Sequence, residues 1–215
     1  MAVFYWVDRE RINKIQALHK VRTQIARNLH KDINTTLNHI NLLSEMAKIK
    51  ADSDIERSKD YIEQISDKSR TMIDSMDDIL WTLNPQNDSM EKTILRMKEY
   101  AEAMQNTYPT DVIMEVDEKI KQLKLDMKVR HEIFFIFKKT LHSIAMNANN
   151  SESVINIDHA GKQLLLKIQN NEVKLSGVDA EQAIKEISQR AEQINAELDI
   201  QNDSKGISLI LAVAV

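Results

Sequence analysis

Apolar residues recur at Ile15, Leu18, Ile25, Leu29, Ile33, Leu37, Ile40 and Leu43. Steps of three, four and seven place them on one side of a long amphipathic helix. A second stripe, Ile55, Ile62, Ile65, Met72, Met76, Ile79 and Leu83, predicts another. Pro85 ends that helix, because its ring pushes Asn84 out of helical geometry. The connecting stretch "KADSDIE" is short and polar, so the two helices should form an antiparallel hairpin. A lone hairpin leaves an apolar seam uncovered, and pairing two hairpins into a four-helix bundle buries it. The pattern therefore predicts a homodimer.

After Pro85 the periodicity changes. "SMEKTILRMKEYAEAMQ" predicts a helix, "TDVIMEVD" a strand, and "MKVRHEIFFIFKKTLHSIAMNA" a long, largely buried helix. "ESVINID" and "KQLLLKIQN" flank "HAGK", a hairpin signal with Gly161 in the turn. "VDAEQAIKEISQRAEQIN" predicts a further helix, and "AELDIQ" and "ISLILAVAV" close the chain around "NDSKG". Helices mixed with hairpin-paired strands indicate an α+β sandwich, one sheet covered by helices. The expected division is a segment 1–14, a helical domain 15–88 and an α+β domain 89–215.

Composition narrows the choices. The 215 residues suffice for two modest domains, 42% of them are apolar, and only three glycines and two prolines interrupt the helices. A net charge of −4 argues against a nucleic-acid partner. The absence of cysteine excludes disulfides and thiolate metal sites. The six histidines lack metal-ligand spacing, so no metal site is expected. No apolar run is long enough to cross a membrane. "VFYWVDRERINK" nevertheless places Phe4, Tyr5 and Trp6 before Arg9, Arg11 and Lys14, a juxtamembrane pattern. It points equally to a membrane anchor in a preceding segment and to an exposed helix start.

Two stretches carry chemistry. "RTQIARNLHKDINTTL" resembles the phosphoacceptor box of bacterial sensor histidine kinases, in the subfamily that reads R-x-R-I-A-R-x-L-H-D-D-I-G. "DSMDDILWTLNPQNDSMEKTILRMKEYA" resembles that subfamily's second bundle helix and its exit. The resemblance extends from about Lys14 through the family's ATP-binding domain. It implies a dimeric cytoplasmic part of an inner-membrane two-component sensor. His30 then matches the histidine that takes the γ-phosphoryl group of ATP and passes it to a response regulator. Standing one residue past Leu29, His30 lies about 100° round the helix, at the edge of the apolar stripe. Arg27, Asp32 and Thr35 complete the acceptor box. Lys31 stands where the family has an acid that orients the imidazole, and Thr35 where phosphatase-competent relatives often have glutamine.

The nucleotide boxes depart further from the family. "FKKTLHSIAMN" puts Lys139 at the glutamate and Ser143 at the asparagine that serve metal and chemistry in F-K-E-A-L-N-N-I-x-K-H, and Asn147 at its histidine. Mg²⁺ needs hard oxygen ligands, and of the two metal-box positions only Ser143 still offers an oxygen. "NNEV" replaces D-N-G-x-G, with Asn170 at the adenine-reading aspartate, Asn171 retained and Glu172 at a glycine. "EQAI" replaces the last glycine box, and "VKLSGVD" is far too short for a mobile lid over ATP. The expectation is a pseudokinase that binds neither ATP nor Mg²⁺ and acts through a response regulator or a partner histidine kinase. An active kinase with an atypical site, and a purely structural dimerisation module, are the alternatives.

Overall fold

A computed structural model describes residues 33–215. The chain divides into two compact units, Met1–Gln86 and Asn87–Val215. In the first, helix α1 covers 33–50 and helix α2 runs Ile55–Leu83. Asp54 caps α2 by accepting a hydrogen bond from the Arg57 N–H at 3.2 Å. Ser58, buried in the first turn of α2, donates its hydroxyl to the Ala47 carbonyl at 2.9 Å and ties the hairpin across its bend. Asn84 is extended (φ −70°, ψ 121°), as the proline after it requires. Most of the predicted α2 stripe is half-buried. Ile65, Met72, Met76, Ile79 and Leu83 are half-buried, whereas Ile55 and Ile62 are exposed, as are Ile73 and Leu80, which lie outside the predicted stripe.

The second unit begins with α3 (Met90–Thr107), capped by the Ser89 hydroxyl, which accepts from the Lys92 N–H at 3.2 Å. It continues through β1 (Thr110–Val116), a 3₁₀ turn (Glu118–Gln122) and α4 (Met127–Asn147). Then follow β2 (Ser151–Ala160), β3 (Gln163–Asn170), α5 (Val178–Gln193), β4 (Glu197–Asp203) and β5 (Gly206–Ala214). The sheet order is β1-β2-β3-β5-β4. β2, β3, β5 and β4 pair antiparallel, while β1 runs parallel to β2 with Ile113 opposite Val154. Strand β2 continues past the expected end to Ala160, and the turn passes through Gly161 at φ 63°.

Alternate strand residues explain the layering. Ile155, Ile157, Leu164, Leu166, Ile168, Leu209 and Leu211 are fully buried, and their neighbours along each strand face outward. The inner row packs with Met90, Ile94 and Met97 of α3 and Ile133, Ile136, Phe137 and Leu141 of α4. Each such side chain contributes about 1.5–3 kcal/mol by leaving water. Tyr100 meets Phe134 and Phe137 edge-on, with ring centroids 6.5 and 6.2 Å apart. Among the described residues no helix is long and apolar enough to cross a membrane.

Candidate functional site

The acceptor box is only partly within view. Arg27, His30 and Asp32 lie outside the described residues, and Thr35 is exposed on α1. The nucleotide-box positions are all described; the last box, "EQAI", lies in α5, and the others fall into two groups.

The first group lies along α4. Lys139, Ser143 and Asn147 are spaced by four residues, so they follow one side of the helix. Lys139 does not stand alone there: its ammonium pairs with Glu186 of α5 at 2.9 Å, both side chains about one-third exposed. Burial pushes the Glu186 carboxyl up, but hydrogen bonds from Lys139 and Gln182 outweigh it and hold the group below its usual range. One turn on, the Asn147 amide donates to the Ser143 carbonyl at 2.8 Å, a bond within the helix itself.

Asn170, Asn171 and Glu172 form the second group, where β3 gives way to the connection into α5. Asn170 is 1% exposed. Its amide nitrogen donates to the hydroxyls of Ser151 (2.9 Å) and Ser153 (3.1 Å) on β2. Its carbonyl oxygen accepts from the backbone N–H groups of Glu172 (3.0 Å) and Val173 (2.8 Å). A primary amide offers two donors and an acceptor oxygen, and here both donors and both lone pairs are used inside the fold. The two backbone donors also fix which end of the amide is oxygen. Gly206 passes close to the backbone here: a Cβ built on it would meet the main-chain carbonyl oxygen of Asn170 at 2.1 Å.

The connection 171–177 is held at a second place. Asn202 of β4 accepts from the Leu175 N–H at 3.0 Å and donates to the Leu175 carbonyl at 2.8 Å. Between and beside these two asparagine staples, Val173 and Leu175 are buried in the core. Asn171, Glu172 and Lys174 are exposed. A short loop with alternate residues plugged into the core and its backbone bonded at both ends has little freedom to lift.

Further charged groups join α4 to its neighbours. Buried Glu132 accepts from the Arg190 guanidinium at 3.2 and 3.3 Å, and that guanidinium lies 4.2 Å from the centre of the Phe135 ring. Desolvation raises the Glu132 carboxyl more than Arg190 lowers it. Next to it, burial pushes His131 down to about 4, helped by the positive charges of Arg190 and Arg96. Buried Arg130 donates to the Leu125 carbonyl and to the Asp88 carboxylate. Sequence reasoning singled out none of Glu132, Glu186, Arg190 or Asn202. Their partners lie in other elements, so spacing along the chain carries no trace of them.

Residues 21–88 match the family model for histidine kinases. That match covers about a third of the chain, within its N-terminal half. Its fold is similar to that of the blue-light activated histidine kinase EL346 of Erythrobacter litoralis, at 12% identity and a TM-score of 0.55, over 88% of this chain and 59% of that one. The fold is also similar to that of the histidine kinase AdeS of Acinetobacter baumannii, at 7% identity and a TM-score of 0.55, over 82% and 96% of the two chains. At such identities the likeness is one of fold. The chain thus spans 59% of the length of the light-activated kinase. No curated protein sequence matches it. The helical region followed by a mixed five-stranded sheet with helices matches the layout of histidine kinases with their ATP-binding domains.

Proposed function

We propose that the chain is the cytoplasmic part of a two-component sensor that has kept the histidine-kinase fold and lost ATP chemistry. In this reading residues 1–14 follow a membrane anchor, 15–88 dimerise and carry the phosphoacceptor His30, and 89–215 form a degenerate ATPase domain. It signals by dimerisation and by docking, or exchanging phosphate with, a response regulator or a partner kinase.

The observation that carries the reading is the closed connection 171–177. Asn170, at the position where relatives read adenine, spends all its hydrogen bonds on Ser151, Ser153 and the backbone of 172–173. Asn202 holds Leu175 from the other side. The α4 positions do not fit Mg²⁺ either: Lys139 brings a cation, already paired with Glu186, where a hard anionic oxygen is needed. Dimerisation is supported by the exposed stripe on α2, with Ile62, Ile73 and Leu80 each more than half exposed.

Calorimetry of the chain with ATP and Mg²⁺ tests the first half. No saturable heat is expected, and binding at sub-millimolar nucleotide would sink the pseudokinase reading. The second half is tested by incubating the chain with phosphorylated response regulators and following acid-labile label. Transfer that disappears in His30→Gln supports a relay. Regulators that neither bind nor transfer would leave a structural dimer.

A further inference from the structure

Helix α5 buries Ala180, Ala183, Ile187 and Ala191. Three of these four are alanines, so the helix lies close to its neighbours yet removes little apolar area from water. Charged side chains tie it to one neighbour in particular. Glu186 pairs with Lys139, Arg190 with Glu132 and the face of Phe135, and the Lys128 ammonium donates to the Gln193 carbonyl at 2.7 Å. All four of those partners belong to α4.

Both ends of α5 turn on residues of positive φ. Gly177 sits at φ 88° with nothing within 4 Å of a Cβ built there. Asn195, at φ 51°, closes the other end, where the Ala196 N–H reaches back to the Ala191 carbonyl at 3.0 Å. Before Gly177 the chain is stapled by Asn202, and after Asn195 it enters β4. A weakly apolar helix thus lies between two fixed anchors, each with its own bend.

We propose that α5 is a strap latched onto α4 by charge, opening as one unit between Gly177 and Asn195 while the sheet, α3 and α4 stay folded. Opening uncovers the α4 side formed by Glu132, Phe135 and Lys139. The latch is sensitive to salt, because the Lys139–Glu186 pair is partly exposed and the screening length falls from roughly 10 Å at 0.1 M to 3 Å at 1 M. The inference rests on the contacts of α4 and α5, whatever the domain binds.

Hydrogen exchange on the full chain, followed by mass spectrometry, tests it. Amides of α5 should exchange faster than those of β5, and faster still at high salt. Lys139→Met and Glu186→Gln should each speed α5 exchange by roughly three- to five-fold, as expected for a partly exposed ion pair, and leave β5 unchanged. The double variant should be no faster than either single one, and the swap Lys139→Glu with Glu186→Lys should restore slow exchange. Exchange of α5 only together with β5, insensitivity to salt, or single effects that multiply would each overturn the proposal.

Discussion

Asn170 shows how one side chain can serve as a joint. Two β2 hydroxyls and two backbone N–H groups converge on it in a site from which water is excluded. Replacing it with alanine strands all four, and a buried group left unpaired costs about 1–3 kcal/mol. Asn170→Ala should therefore lower stability by on the order of 3 kcal/mol in urea unfolding. Asn170→Asp should cost less, since the carboxylate still accepts from Glu172 and Val173 and the serine hydroxyls can rotate to donate. That variant restores the family's acid without reopening the connection, so it should not bring back ATP binding. His131 makes a pH prediction. Its folded-state value of about 4 lies below that of the unfolded chain, so between about 6.5 and 4 the unfolded state binds more protons. Its contribution is complete above about pH 6.5 and is lost as pH falls towards 4. Neighbouring Glu132 is shifted upward and acts in the opposite sense, so a comparison isolates the histidine. His131→Gln should gain melting temperature relative to the parent as pH falls through that window.

At the scale of elements, the helical hairpin and most strands were legible because their causes are local. Pro85 stops α2, Gly161 turns β2 into β3, and Asp54 and Ser89 cap helices whose apolar stripes follow. The parallel pairing of β1 with β2 was not, because α4 intervenes and no turn signal joins the two strands. The short 3₁₀ turn at Glu118–Gln122 was missed for lack of periodicity. The α2 stripe was legible as apolar, but not that Ile55 and Ile62 within it, and Ile73 and Leu80 beside it, stay exposed in one chain. These exposed residues yield a test of dimerisation. Ile73→Glu with Leu80→Glu should turn a dimer into a monomer in sedimentation at micromolar concentration, with helix content retained. A parent chain that is monomeric under the same conditions would remove the basis for the bundle.

For the molecule, the candidate site was legible as a set of positions but not as a set of contacts. The motifs "FKKTLHSIAMN" and "NNEV" marked Lys139, Ser143 and Asn170, yet the partners Glu186, Ser151 and Ser153 lie far away in sequence. That distance matters for attempts at repair. Lys139→Glu with Ser143→Asn restores two family residues on α4 and leaves Glu186 facing a like charge, with 171–177 still stapled. The double variant should be less stable than the parent and should still show no ATP-dependent rise in melting temperature. A ligand at 100 times its dissociation constant would add about 2.7 kcal/mol, a rise easily seen.

The stapled connection also has a consequence for proteolysis. Lys174 is exposed, and its position between Val173 and Leu175 offers trypsin a basic residue followed by leucine. Cleavage, however, requires several consecutive residues to leave the surface and lie extended in the protease. Here both neighbours are anchored in the core, and the backbone at 173 and 175 is bonded to Asn170 and Asn202. Limited trypsinolysis should spare the bond after Lys174 long after the exposed Lys48 near the hairpin bend has been cut. Asn202→Ala should make Lys174 an early site, so a band pattern on a gel would report whether that loop is shut.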